Sequence, residues 1–182
     1  MLASASPRRA ALLAAAGVDC EVVPADVDER ALPGESADGH VSRLALAKAA
    51  AVAAHRKGQL VLGADTVVVV DGAILGKPAD DRDAIAMLER LSGRAHDVLT
   101  GVCLFAAGPV RQSVERSRVT FARLSPDEIA WYVASGEPRD KAGAYAIQGL
   151  GSRFVTGVEG SYCNVVGLPV STVYAWLREL QG

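Results

Sequence analysis

The segment from Gln59 to Val70 limits this chain more than any other. It ends in Gly63-Ala64-Asp65-Thr66-Val67-Val68-Val69-Val70 and reads as the most apolar strand of the 182 residues. Asp71-Gly72 follows at once and signals a tight hairpin turn. An aspartate inside so apolar a strand is costly, because a buried carboxylate without partners loses roughly several kcal/mol. Asp65 therefore stands at an exposed strand end or in a cleft where a cation, a water or a ring of lysines compensates it. The bland reading is an aspartate that caps a neighbouring loop. The apolar context favours a site.

Around this strand the chain alternates strand-like and helix-like segments. Met1–Ala5 is a short strand candidate, and Ser6–Ala16 reads as a helix with Ser6 as cap, Pro7 in the first turn and Gly17 as stop. Cys20–Pro24 reads as a strand around Val22 and Val23. The acidic stretch Asp26–Asp38, with Pro33 and Gly34, reads as a loop. Val41–Arg56 and Asp80–Leu91 read as helices. Ala95–Ala106 and Val110–Arg123 read as long strands joined by Ala107-Gly108-Pro109. Ser125, Pro126, Asp127 and Glu128 open a helix to about Ala134. A Gly-rich segment spans Gly136–Gly167, and Pro169–Leu180 closes as an amphipathic helix. There is no strict βαβ repeat, so the expected class is α/β, a mixed sheet with helices around it.

Length and charge exclude several function classes. One domain of this size, in two lobes, builds a core without staples. Lys and Arg number 19 against 21 Asp and Glu, a balance that argues against a protein that coats nucleic acid. Cys20, Cys103 and Cys163 stand far apart, which gives neither a disulfide framework nor a zinc-finger spacing; no role is assigned to them. No apolar run approaches the roughly 18 residues of a membrane span. Arg8-Arg9 before Ala10–Val18 resembles a short signal peptide, but the run reads as a helix start leading into Asp19, so a cytoplasmic protein is expected.

Several segments can carry chemistry. In Ser4-Ala5-Ser6-Pro7-Arg8-Arg9, two guanidinium forks coincide with the free N–H groups and the positive end of a helix. A phosphate fits there, and so does a bland pair of solvated arginines. Gly72-Ala73-Ile74-Leu75-Gly76-Lys77-Pro78 imitates a phosphate loop. It has three residues between its glycines instead of four, and Pro78 lacks the needed N–H. Lys77 remains available as a point charge. Lys48, alone in an Ala-rich helix, reads as solvated. Glu29 sits with Asp26 and Asp28 in an acidic loop of the kind that can ligate a hard cation through oxygen, although most such loops bind nothing. The densest segment runs from Gly136 to Gly151 and includes Glu137, Asp140, Lys141, Tyr145 and Gln148. Its glycines permit close backbone approach, and Gln148 has an amide able to read a nucleobase edge. The bland reading is a turn-rich surface loop. Cations, carboxylates and a Gly-rich loop, without a serine elbow or an evident thiol nucleophile, suit phosphate-ester chemistry assisted by a hard divalent metal.

These pieces occur in an order that resembles the Maf family. The motifs are Leu2-Ala3-Ser4-Ala5-Ser6-Pro7-Arg8-Arg9, Gly63-Ala64-Asp65-Thr66-Val67-Val68, Gly76-Lys77-Pro78, and Leu91-Ser92-Gly93 with His96 and Thr100-Gly101. Asp140-Lys141-Ala142-Gly143-Ala144-Tyr145, Ile147-Gln148-Gly149 and Val166-Gly167-Leu168-Pro169 complete a match over essentially the whole chain. The resemblance implies an elongated α/β fold of the inosine triphosphatase type, a mixed sheet flanked by helices with a central cleft between two lobes, and a homodimer. It implies a nucleoside triphosphate pyrophosphatase linked to nucleotide-pool cleaning and to septum formation.

The resemblance also implies residue roles. Asp65 matches the general base, and Glu29 with Asp65 matches positions near a divalent metal (Mg2+, Mn2+ or Co2+). Ser4, Arg8, Arg9, Lys48 and Lys77 match positions lining the triphosphate, and Arg8, Thr66 and Gln148 match positions tied to base preference. The block around Lys141 and Gln148 is similar to the branch acting on dTTP and UTP. The rival readings are the same chemistry on another base, such as 7-methyl-GTP, and a non-catalytic nucleotide-binding regulator. Ala146 stands where the family often has Gly, and Asp28 beside Glu29 leaves the metal alignment open by one residue.

Overall fold

The computed structural model describes residues 1–106 and 109–180. Six strands form one sheet in the order β1-β2-β4-β5-β6, with β3 paired to β2. They are β1 (Leu2–Ala3), β2 (Val61–Val70), β3 (Ala73–Leu75), β4 (Ala95–Phe105), β5 (Arg111–Phe121) and β6 (Val155–Glu159). The helices are α1 (Pro7–Ala15), α2 (Ala37–Ala53), α3 (Asp81–Leu91), α4 (Pro126–Ala134), α5 (Tyr162–Val166) and α6 (Val170–Glu179). β1 runs parallel to β2, with Leu2 opposite Leu62 and Ala3 opposite Gly63. β3 and β6 pair antiparallel with β2 and β5. The expected mixed α/β sheet with helices around it is therefore what forms.

The run that led the sequence reading becomes β2, in which neighbouring positions are buried on both faces. That is how a strand covered on both sides reads. Its turn is as expected: Asp71 and Gly72 have φ of 51° and 72°, which reverses the chain into β3.

By its contacts the chain divides into two compact units. The first comprises Met1–Thr66, Thr100–Glu115 and Gly167–Gly182, and the second Val67–Leu99 and Arg116–Val166. The first has its core in Leu2, Leu13, Leu62, Val102, Leu104 and Leu168, with a second cluster around Ala45, Ala49, Val61 and Cys103. Small residues are required where α2 meets the strands. A side chain at Gly63 would overlap the Ala45 carbonyl oxygen, and one at Gly101 the Val41 carbonyl oxygen. In the second unit α3 buries Ala84, Met87, Leu88 and Leu91, one helical stripe, against Val98, Phe121 and Tyr132.

Several local expectations are corrected. Ser6 occupies the N-cap position of α1, but its side chain makes no capping bond; its N–H donates to the Ser4 hydroxyl at 3.2 Å. Cys20–Pro24 makes only a single parallel bridge, Leu2 to Val22. α2 starts at Ala37 rather than Val41, because Ser36 caps it by accepting from the Gly39 N–H. β6 and α5 lie inside the Gly-rich segment Gly136–Gly167, for which the sequence suggests no element. The capping box at Ser125 forms as read, with Glu128 closing it. Of the expected connection between β4 and β5, Ala107 and Gly108 lie outside the described residues.

Candidate active site

The first unit gathers most of the residues singled out in the sequence. Ser4 follows β1, Arg8 and Arg9 open α1, Glu29 lies in the loop before α2, Lys48 projects from α2, and Asp65 and Thr66 lie in β2. Lys48 is not solvated. Val41, Leu44, Ala45, Lys48, Ala49 and Val52 form one buried stripe at helical spacing, and Lys48 falls inside it at 7% exposure. Its periodic position was the signal that marked it as an inward-facing cation.

The Lys48 ammonium donates to Asp65 Oδ1 at 2.7 Å and lies 2.5 Å from Glu29 Oε1. A buried lysine is tolerable only with such partners. Both carboxylates therefore converge on one cation. Asp28 does not join them. Its carboxylate is taken by the neighbouring Arg30 at 2.6 to 3.0 Å, which holds its pKa down at about 2. Of the two neighbours in the acidic loop, Glu29 is the carboxylate that reaches Lys48.

Arg9 has a different surrounding from the one expected. It is 8% exposed, and its guanidinium is committed to three protein acceptors. Nε donates to the Gly167 carbonyl at 2.7 Å, Nη1 to Ser4 Oγ at 2.9 Å and Nη2 to Thr66 Oγ1 at 2.9 Å. Burial pushes its pKa down, and the Asp65 charge opposes that shift. An arginine so held remains a cation at neutral pH. Thr66 Oγ1 also shares a hydrogen bond of 2.9 Å with Thr100 Oγ1. Thr100 and the Gly167 carbonyl carried no assigned role in the sequence reading. Both fall in the ordered motifs Thr100-Gly101 and Val166-Gly167-Leu168-Pro169, the one signal that could have found them.

Lys77 and Gln148 belong to the second unit. Lys77 is exposed two residues after β3, and Gln148 is exposed in a turn of the Gly-rich segment.

Among the described residues no three His, Cys, Asp or Glu side chains gather as a metal site. Glu29 and Asp65 nonetheless fit a hard divalent cation. Both are oxygen donors already drawn to one positive charge. An ion such as Mg2+ takes one or two carboxylates and completes its shell with waters and substrate phosphates.

The chain matches, over residues 1–180, the family described as Maf-like protein. A protein of Koribacter versatilis (strain Ellin345) named dTTP/UTP pyrophosphatase is 52% identical over 178 residues, which are 98% of this chain and 92% of the relative. One of the same name from Anaeromyxobacter sp. (strain Fw109-5) is 55% identical over 183 residues, covering 98% and 87% of the two chains. A third, from Syntrophomonas wolfei, is 52% identical over 178 residues, covering 97% and 94%.

Proposed function

The chain belongs to the Maf family, and from that premise we propose that it hydrolyses dTTP and UTP to the monophosphate and pyrophosphate. The observation that carries the reading is the Lys48 ammonium held between the Glu29 and Asp65 carboxylates, with the buried Arg9 fixed beside Ser4 and Thr66.

In the proposed reaction a water attacks the α-phosphorus, its proton passes to an Asp65 oxygen, and the α–β anhydride bond breaks with its electrons leaving on pyrophosphate. Lys48 orients Asp65 through the charge-assisted bond it already makes, and it offers its remaining N–H to a phosphate oxygen. A divalent cation (Mg2+, Mn2+ or Co2+) held by Glu29 and Asp65 would supply charge neutralisation on the phosphates. Arg8 and Ser4 are proposed to line the triphosphate. Arg9 contributes its positive charge while its bonds to Ser4 and Thr66 set where those hydroxyls stand. Lys77 as a phosphate contact, and Arg8, Thr66 and Gln148 as determinants of base preference, enter on the resemblance.

The proposal also includes one catalytic domain over the chain, a homodimer, a cytoplasmic location, and a role in pool cleaning or division arrest. No helix among the described residues is long and apolar enough to cross a membrane.

The test is pyrophosphate release from a panel of natural and modified nucleoside triphosphates, with Mg2+ and with Mn2+. Turnover that peaks on dTTP and UTP is expected. Turnover confined to 7-methyl-GTP would keep the chemistry and overturn the assigned bases. Tight binding of nucleotide without any pyrophosphate release would put a regulator in place of the enzyme.

A further inference from the structure

The Gly-rich segment of the second unit is held by two buried phenols and one carboxylate that the proposed chemistry does not use. Tyr132, on α4, is fully buried. Its hydroxyl donates to Glu137 Oε1 at 2.8 Å and accepts the Ala146 N–H at 3.1 Å. Glu137 accepts the Leu150 N–H on Oε2 at 2.9 Å and the Gly151 N–H on Oε1 at 3.0 Å. Burial works to raise the Glu137 pKa, but these bonds outweigh it and the net shift is downward. One residue before Ala146, the Tyr145 hydroxyl is hydrogen-bonded to His96 Nε2 at 2.8 Å.

The spacing explains two glycines. A side chain at Gly149 would run into the Glu137 carboxylate, and one at Gly151 would meet the Tyr132 hydroxyl at 2.8 Å. Backbone is therefore gripped at Ala146 on one side and at Leu150 and Gly151 on the other. The exposed Gln148 lies at the turn between those grips.

We propose that Glu137, acting together with Tyr132, is a positioning pair that sets base preference by fixing the turn that presents Gln148. The inference rests on Gln148 being the base reader. A carboxylate suits the task because it accepts only. Two backbone N–H groups and a phenol O–H converge on it, and each needs an acceptor lone pair. An amide in its place keeps the shape but turns an NH2 group towards those donors. A side-chain amide discriminates a nucleobase edge only if its own orientation is restrained, since its preference depends on placing one donor and one acceptor in register.

The experiment compares Glu137→Gln and Tyr132→Phe with the unaltered chain and with Gln148→Ala. Steady-state kcat and KM are measured for dTTP, UTP, CTP and GTP, beside thermal melts. The ratio of kcat/KM for UTP over CTP is expected to fall about tenfold in both clamp variants, as it falls in Gln148→Ala. The loss is expected in KM for UTP, with kcat retained within about twofold. A scaffold role would lower all four nucleotides by one common factor, and that result overturns the proposal. So does an unchanged ratio. If Gln148→Ala flattens the preference while both clamp variants keep it, the clamp falls and the base reading stands. If Gln148→Ala keeps the preference, both fall together. Tyr132→Phe retains ring and volume, so it carries the test should Glu137→Gln not fold.

Discussion

Lys48 and Glu137 each centre a polar cluster, and the two clusters are built of different bonds. Around Lys48, in the first unit, the partners are the carboxylates of Glu29 and Asp65. Around Glu137, in the second unit, the partners are backbone N–H groups and a phenol. Ion pairs between side chains can exchange a partner for a ligand charge, because a phosphate or a metal satisfies the same groups. Bonds to backbone N–H groups offer no such exchange; breaking them moves the chain. The first cluster is therefore suited to turning over a charged substrate, and the second to holding a shape. Arg9 combines the two roles, a charge whose hydrogen bonds go to a backbone carbonyl and two hydroxyls.

The largest effect should come from the first cluster. Asp65→Asn keeps the volume and an oxygen that can accept from Lys48, so the fold is expected to stand. The variant loses the group proposed to take the proton, and kcat should fall by about 10² to 10⁴. Pyrophosphate release alongside a nucleotide-binding titration checks this. Near wild-type turnover with unaltered binding would remove the general base from the scheme.

Arg9→Lys tests the residue that combines both roles. A lysine carries the charge but cannot reach three acceptors in a fork. The Gly167 carbonyl and the Ser4 and Thr66 hydroxyls would lose a partner, at a cost of about 3 to 4 kcal/mol in all. Urea unfolding of the two proteins checks the figure. Full stability with weakened nucleotide binding would instead make Arg9 chiefly a ligand contact.

In the second unit the sharpest probe is pH. His96 is buried against Phe121 and Tyr145, and among the described residues its Nδ1 has no hydrogen-bond partner. Burial depresses its pKa from 6.5 to about 4. The unfolded chain then binds a proton that the folded chain refuses between those values. Stability should fall as pH drops from about 6.5 to about 4, by about 2 to 3 kcal/mol in total. The carboxylates held low by arginine, Asp28 and Glu35, are at about 2 when folded but take up their protons near pH 4 when unfolded, so it is above about pH 5.5 that the slope belongs to His96. Denaturant midpoints between pH 7 and pH 5.5 should therefore slope in the native protein and flatten in His96→Gln. An equal slope in both would place the titration elsewhere.

How much of this was legible in the sequence depended on range. The Asp71-Gly72 turn, the Ser125 capping box and the stop at Gly17 are set by residues within a few positions of one another, and all three appear. β6 was not legible, because Val155–Glu159 is a half-exposed edge strand whose identity comes from pairing with β5. Cys20–Pro24 had the β-branched residues of a strand but finds only one bridge. In the site, Asp65 stood out by cost alone, whereas Lys48 was masked by its alanines although its helical phase pointed inward. The bonds of Arg9 to Thr66 and Gly167 join residues 57 and 158 positions apart, and no local pattern announces them.

The smallest predicted effect separates two neighbours in the acidic loop. Asp28 and Glu29 carry the same charge one position apart, and composition cannot tell them apart. The structure does: Asp28 closes a local, exposed ring with Arg30, while Glu29 reaches Lys48. Exposed pairs between near neighbours contribute little, so Asp28→Asn should leave turnover within about twofold. Glu29→Gln removes a charge that faces a buried ammonium and the proposed cation, and turnover should fall by about tenfold or more, with a raised metal requirement. Titrating Mg2+ against pyrophosphate release for both variants reads the difference directly. Equal losses would mean that the loop acts through its summed charge rather than through the one carboxylate that touches Lys48.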